Sequence, residues 1–216
     1  KSILDLLNSD IPGNIKRTLF GLYRSIATST EGTAFLYQIW TKEKEIENLY
    51  VSENDFEGIA SQLAIYKHPK SKEILTEQLT RISNPDRLDR FKWLLPSLSN
   101  DEAVRDAFMN SLLQKENREN ESWAQSALSN IHHPLRQSSA QKHIKACLDV
   151  LEEIQLTGDI FFPKRWLSSS VGRYSSKEAF DIVQHFLNEN PNYNPILKMK
   201  LLQTVDNLFR AQEIKD

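Results

Sequence analysis

The stretch IKACLDVLEEIQLTGDIFFPKRWL, residues 144–167, decides the fold class. The apolar residues of its first half are Ile144, Cys147, Leu148, Leu151 and Ile154. They recur three and four positions apart, as residues do along one face of an α-helix. Gly158 then interrupts the pattern and Pro163 opens a new one, which is how one helix ends and the next begins. The stretch therefore predicts two helices joined by a short aromatic turn.

The same helical period runs through most of the chain. Leucine far outnumbers valine, and glycine and proline are scarce, which favours helices over strands. Further apolar stripes are Phe56, Ile59, Ala60, Leu63 and Tyr66; Val104, Ala107, Phe108 and Leu112; Ala179, Val183, Phe186 and Leu187; and Leu201, Leu202, Val205, Leu208 and Phe209. Connections are short and no fixed repeat is found. We expect an all-α fold, an irregular HEAT/armadillo-like superhelical stack of antiparallel helices.

Polar residues mark where several helices begin. In a capping box a serine hydroxyl accepts from a free backbone N–H, and an acid three residues later reaches back. The pairs with this spacing are Ser52 and Asp55, Ser99 and Glu102, and Ser175 and Glu178. The Asn-Pro steps at 84–85 and 194–195 also predict helix starts, because proline lacks the N–H that the first turn leaves unused.

Composition limits the classes of function. The formal net charge is −2, and the 27 basic and 29 acidic residues are intermixed, so we expect neither nucleic acid nor a membrane as a partner. No apolar run approaches the ~20 residues that cross a bilayer. The single cysteine excludes an internal disulfide. The start, KSILDLLNS, resembles the middle of a helix, so we expect a piece of a longer polypeptide. For the compartment, both the cytoplasm and the bacterial periplasm stay open.

Two adjacent histidines, His132 and His133, raise the question of a metal site. Zinc sites on helices take histidines one turn apart, whereas neighbouring helical residues point about 100° apart. Pro134 also forces His133 toward extended geometry. The other three histidines are His68, His143 and His185, and no two of them lie one turn apart. The sequence predicts structural histidines at the end of a helix and no metal in this chain.

Other candidate chemistry is also weak. Glu152 and Glu153 could form a catalytic acid pair, but adjacent helical carboxylates diverge, and a solvated helix face is the better interpretation. Cys147 lies within an apolar stripe, which indicates a buried thiol and not a nucleophile. There is no glycine-rich phosphate loop and no G-x-S-x-G motif. Taken alone, the residues specify no reaction.

Several longer sequence segments contain more arginine and tryptophan than helix packing requires. They are NPDRLDRFKWLLPSLS (84–99), ENRENESWAQSAL (116–128), IHHPLR (131–136), LEEIQLTGDIFFPKRW (151–166) and KLLQTVDNLFRA (200–211). In this order they resemble the C-terminal helical domain of bacterial zinc aminopeptidases of the aminopeptidase N family. The resemblance runs from about residue 46 to the end. Residues 1–45 carry no distinctive word and form a less certain helical lead-in to a single domain over 1–216.

The resemblance implies a lid and not a catalytic domain. In that family the chemistry depends on an H-E-x-x-H helix that binds zinc and a G-x-M-E-N strand that holds the substrate amine, and this sequence contains neither. The zinc, the only cofactor implied, would belong to the catalytic domain of the same polypeptide. That domain and peptide substrates are the expected partners, and the helical domain would enclose the substrate chamber.

Three arginines are candidate peptide contacts: Arg87, Arg136 and Arg165. A peptide's distal end carries a carboxylate, which arginine binds with two parallel hydrogen bonds. Each arginine could instead bind helix-end carbonyls or a neighbouring acid. The aromatic turn supplies candidate contacts to the catalytic domain: Phe161, Phe162 and Trp166. The alternative function is a freestanding helical-repeat adaptor that binds a protein or peptide; it predicts polar outer helices, whereas a domain with a neighbour predicts an exposed apolar patch.

Overall fold

The computed structural model describes residues 2–215 as packed α-helices. No strand occurs in those residues, so the prediction of an all-α helical stack is confirmed. The chain divides into two compact units, residues 1–95 and 96–216. The boundary falls within a helix, immediately before Pro96, which lacks the backbone donor that a helix interior uses. The single domain over residues 1–216 stays a prediction.

The N-terminal unit is built around α4. Its helices are α1 (Ile3–Leu7), α2 (Gly13–Ile26), α3 (Thr30–Thr41), α4 (Glu53–Ile65), α5 (Ser71–Arg81) and the greater part of α6 (Pro85–Leu98). Helix α4 packs against α2, α3 and α5. Trp40 is buried on α3, and its indole N–H donates to Gln78 Oε1 at 2.8 Å. The guanidinium of Arg81 lies 3.9 Å from the centre of the same ring, so this corner of the core is fixed by polar as well as apolar contacts.

The C-terminal unit is built around α12. Its helices are α7 (Glu102–Ser111), α8 (Glu121–Ile131), α9 (Gln137–Ala140), α10 (Ile144–Asp149), α11 (Leu151–Thr157), α12 (Phe162–Ser170), α13 (Lys177–Glu189) and α14 (Pro195–Lys215). Short 3-10 turns cover Lys115–Arg118, Pro134–Arg136 and Gln141–His143. Helix α12 packs against α8, α10, α11 and α14. Trp166 of α12 is fully buried, and its indole N–H donates to the Cys147 carbonyl at 2.9 Å.

Most predicted helix boundaries are confirmed. Ser52 and Asp55 form the predicted capping box of α4, the Asn84 and Asn194 side chains accept from the first turns of α6 and α14, and Gly158 ends α11. Two predicted caps are wrong by one or two residues. The cap of α7 is Asp101, whose carboxylate accepts from the Ala103 N–H, and that of α13 is Ser176, which accepts from Ala179. Each is the capping-competent side chain directly before its helix.

One predicted apolar stripe is wrong in part, since its Leu112 is buried and its Phe108 half-buried, but its other two members are not. Val104 and Ala107 of α7 are exposed, whereas the buried side chains of that helix are Arg105 and Met109. Arg105 is turned inward because its guanidinium donates to the Ser99 carbonyl at 2.8 Å. The stripe of residues 144–154 is buried as predicted, although the helix is interrupted at Val150 between α10 and α11.

Candidate functional site

The end of α11 and the turn that leads to α12 expose three large apolar side chains. The exposed fraction is 85% for Leu156, 75% for Ile160 and 62% for Phe161. The backbone beneath these side chains is ordered by acids. Glu121 accepts from the Asp159 N–H at 2.6 Å, and Asp159 accepts from the Phe161 N–H at 2.8 Å. Leu156 at the end of α11, and Ile160 and Phe161 on the hydrogen-bonded turn, are thus held in water.

Arg165 completes this surface, which we call the turn surface and define as Leu156, Ile160, Phe161 and Arg165. Arg165 is exposed, and its guanidinium lies 5.8 Å from the centre of the Phe161 ring. Within the part of the chain that the structure describes, it forms no ion pair. Its charge is therefore available to a ligand or a neighbouring domain.

The other two predicted interface aromatics, Phe162 and Trp166, lie in the core. Both are buried in the C-terminal unit and meet edge to face, with ring centres 5.9 Å apart. With 2% of Phe162 and none of Trp166 exposed, both side chains hold α12 in place, and their contact with a second domain stays a prediction. Phe161 is the exposed member of the three predicted aromatics.

Arg87 is held by acids of the N-terminal unit. Its guanidinium lies 2.5 Å from Glu57 Oε1 and 3.7 Å from Glu53 Oε1. The largest influence on Glu57 is burial, which raises the pKa of this carboxyl above its usual range despite the opposing charge of Arg87. Arg87 therefore links α6 to α4, the role of a partner to a neighbouring acid.

Arg136 is buried and binds backbone carbonyls. It donates to Ser97 O at 2.8 Å, Leu98 O at 3.0 Å and Ser99 O at 3.3 Å, and to Asn130 O at 3.3 Å. These oxygens lie at the ends of α6 and α8, where the helical ladder leaves carbonyls without partners. Burial, with the charge of Arg105, lowers the pKa of Arg136 to about 10, so the group is still charged at neutral pH. Arg136 is only 3% exposed and its donors bind these carbonyls, so its contact with peptide stays a prediction that finds no support in this geometry.

His132 is the buried C-terminal cap of α8. Its Nδ1 is hydrogen-bonded to the Tyr174 hydroxyl at 2.7 Å, and its Nε2 lies 4.0 Å from Cys147 Sγ. Burial lowers the pKa of His132 to about 3, with a smaller effect from His143, and raises the pKa of the Cys147 thiol to about 12. The imidazole and the thiol are therefore both neutral at pH 7, which suits a packed interior and not a nucleophile and base.

His133 caps the 3-10 turn that follows, and its Nδ1 accepts from the Leu135 N–H at 3.2 Å. Burial and the charges of Arg136 and Arg173 lower the pKa of His133 to about 4. Across residues 2–215 no three histidine, cysteine or acidic side chains come together as metal ligands. The adjacent histidines thus act at a helix end, as their sequence predicts.

The N-terminal unit contains a pocket that the sequence did not reveal. The connection between α3 and α4, residues 42–52, folds over a cavity of about 350 Å³. Its apolar walls are Ile39, Ile46, Leu49, Val51 and Phe56. We call this cavity the loop pocket. Residues 42–51 read KEKEIENLYV and contain three buried or half-buried apolar residues among alternating charges. These three residues follow neither a helical nor a strand period, so the sequence pattern did not identify them.

Helix α2 fixes the loop that covers this pocket. The buried ammonium of Lys16 donates to the Glu47 carbonyl at 2.8 Å, and Arg17 donates to the Tyr50 carbonyl at 2.5 Å. A Cβ at Gly13 would come within 2.5 Å of the Asn48 carbonyl oxygen, so this close approach requires glycine. Two successive basic residues and one glycine of α2 therefore contact the loop backbone at Glu47, Asn48 and Tyr50.

No protein-family model matches this chain, and no curated protein is found to be similar to it. The described helices include none that is long and apolar enough to cross a membrane.

Proposed function

We propose that this chain is the C-terminal helical domain of a zinc aminopeptidase of the aminopeptidase N family, which removes N-terminal residues from peptides. The domain lies over the catalytic domain of the same polypeptide and encloses the substrate chamber. Zinc binding and peptide-bond hydrolysis belong to that catalytic domain. Two features support the proposal. The first is the order of the sequence segments between residues 84 and 211 that resemble this family, and the second is the all-helical stack into which they fold.

The observation that carries the proposal is the turn surface. Exposed Leu156, Ile160 and Phe161 leave a large apolar area in water, and such patches mark contacts with other proteins or domains. Each side chain stabilises an interface by about 1.5–3 kcal/mol when it is fully buried. A neighbouring domain that covers the turn explains why these side chains are held outward while Phe162 and Trp166, a few residues on, fill the core.

Arg165 gives this surface its proposed chemistry. Its guanidinium lies beside the Phe161 ring and forms no ion pair with an acid of the described residues. At the wall of a chamber it favours peptides with a free C-terminal carboxylate, which accepts two hydrogen bonds from one guanidinium. Of the three candidate arginines, Arg165 is the one with an exposed charge.

The first test is the full-length gene product. Its sequence is expected to contain H-E-x-x-H and G-x-M-E-N upstream of this chain, and the purified product should hydrolyse leucine p-nitroanilide until a zinc chelator is added. An Ile160→Ser/Phe161→Ser variant should lose about tenfold in kcat/KM and become more sensitive to proteolysis between the domains. Leu135→Ser, a change at another exposed leucine, is the control. A gene product without the zinc motif would overturn the proposal.

The second test addresses Arg165 alone. Arg165→Ala should lower kcat/KM on a peptide with a free C-terminus by about tenfold and leave the amidated peptide unchanged. Arg210→Ala, which removes an exposed arginine paired with Asp206, should affect neither substrate. Equal losses on both substrates would assign Arg165 a structural role.

A further inference from the structure

We propose that the loop pocket of the N-terminal unit binds a small apolar carboxylate, with the hydrocarbon part inside the cavity and the carboxylate between Lys42 and Lys44. This site is independent of the proposed aminopeptidase function, because it rests on residues 16–56 of the N-terminal unit and on none of the turn surface.

The shape and walls of the pocket select the apolar part of the ligand. A cavity of about 350 Å³ is at the lower end of the range for small-molecule sites. The walls come from the last turns of α3, the loop and the first turn of α4, through Ile39, Leu49 and Phe56. A chain of about eight carbons, or one aromatic ring with a short linker, fits such a volume.

The charges at the pocket select an anion. Lys42 and Lys44 both line it, with their ammonium groups 5.5 Å and 4.8 Å from the centres of the Phe56 and Phe35 rings. Neither lysine forms an ion pair with an acid anywhere in residues 2–215. Glu45 is the acid among the residues that line the pocket, so the balance at the lining is one positive charge. Glu43 and Glu47 belong to the same loop but do not line it.

The backbone of the loop prepares these charges for binding. Lys42 adopts the left-handed conformation with φ of 63°, as does Asn48 with φ of 59°. A lysine rarely adopts that conformation, and it persists here because neighbouring contacts fix the loop. The Lys16 and Arg17 bonds to the loop carbonyls are two of those contacts. A ligand therefore meets a formed site and loses little affinity to ordering the loop.

A carboxylate fits this arrangement better than the other common anions. Lysine ammonium groups form charge-assisted hydrogen bonds to carboxylate oxygens, and the single negative charge matches the single net positive charge of the lining. A phosphate monoester carries close to two charges at pH 7 and would leave one uncompensated beside Glu45. A neutral alcohol of equal length would gain only the apolar contacts, and an alkylammonium would be repelled.

Calorimetric titration of the purified chain with three ligands of equal length tests the proposal. Octanoate should bind with a Kd on the order of 0.1–1 mM, octanol at least about fivefold more weakly, and octylammonium without measurable heat. Lys44→Met and Lys42→Asn should each weaken octanoate about fivefold, whereas Glu45→Gln should tighten it about twofold. Asparagine is chosen at Lys42 because it tolerates the left-handed backbone.

Lys67→Asn is the matched control. Lys67 is exposed, has φ of 58°, follows α4 and is not among the residues that line the pocket. This change should leave octanoate binding unaltered, which separates loss of a pocket charge from loss of a lysine in the left-handed conformation. Leu49→Trp, which fills the cavity, should abolish octanoate binding while circular dichroism stays helical. Equal affinities for octanoate and octanol, unchanged binding in both lysine variants, or no octanoate heat at about 10 mM would each overturn the proposal.

Discussion

Arg105 and Arg136 donate to the same carbonyl oxygen, that of Ser99, at 2.8 Å and 3.3 Å. Both side chains are buried, and neither is paired with a carboxylate in the described residues. The oxygen lies directly after α6, where the helix dipole leaves partial negative charge and carbonyls lack partners. Two like charges are tolerated side by side because the end of a helix supplies several acceptors to each.

Arg136→Met should lower the free energy of unfolding by about 3–5 kcal/mol. The change keeps the apolar stem but leaves several buried carbonyls without donors, each of which costs about 1–3 kcal/mol when it is not reached by water. Urea unfolding measures the loss. Arg165→Met, at an exposed site, should change stability by less than about 0.5 kcal/mol, and similar values for the two variants would contradict the assigned role of Arg136.

Leu151→Ala should destabilise the protein by about 2–5 kcal/mol, because Leu151 is fully buried and the change leaves a cavity. Leu156→Ala, in the same helix but 85% exposed, is the matched control and should cost less than about 0.5 kcal/mol. Thermal or urea unfolding of the two variants compares the two faces of α11 directly. A cost below about 1 kcal/mol at Leu151 would place it outside the core.

His132 should make the protein less stable in mild acid. Its pKa is about 3 in the folded protein and 6.5 in the unfolded chain. Below pH 6.5 the unfolded chain therefore binds a proton that the folded protein does not. The free energy of unfolding should therefore fall by about 3 kcal/mol from this group as pH decreases from 7 to about 4. His133, with a pKa of about 4, acts in the same direction.

The variant His132→Gln isolates that effect. Glutamine can still hydrogen-bond to Tyr174 but does not titrate, so the stability of the variant should depend less steeply on pH than that of the wild type. Urea unfolding at pH 7, 5.5 and 4.5 gives the comparison. Parallel curves for the two proteins would show that His132 is not the buried neutral group described above.

Cys147 should be unreactive in the folded protein. It is fully buried, and its pKa of about 12 leaves almost no thiolate at pH 8. A disulfide reagent such as DTNB should label it only after unfolding, at the rate at which the chain opens. Rapid labelling under native conditions would mean that α10 separates easily from α12.

Regular helix chemistry explains which parts of the fold could be predicted. The stripe from Ile144 to Ile154 is buried as expected, and Ser52 caps α4 as expected, because spacing along one helix encodes both. The error at α7 has a physical cause. Hydrophobic periodicity places arginine on the exposed face of a helix. Arg105 is buried instead, because its guanidinium donates to the Ser99 carbonyl at the end of α6.

The candidate site was harder to predict, because tertiary contacts decide whether each of its side chains is buried, paired or exposed. The same residue type is buried at Arg136, paired with acids at Arg87 and exposed at Arg165, and nothing local in the sequence separates these cases. Phe161 and Phe162 are neighbours in the chain, yet one lies in water and the other in the core. The turn fixes that difference. The bond from the Phe161 N–H to Asp159 is local, but the bond from the Asp159 N–H to Glu121 forms only once α8 and α11 have packed.

The two buried tryptophans give each unit its own optical reporter. Trp40 lies beneath the Arg81 guanidinium in the N-terminal unit, and Trp166 lies against α10 in the C-terminal unit. Their emission should shift to longer wavelength when water reaches the indole. Trp93 and Trp123 are half-buried, one in each unit, and also fluoresce. In a background with both of these replaced by phenylalanine, a further change of Trp40 or Trp166 leaves a single indole that follows one core, so the melting of one unit can be timed against that of the other without an added label.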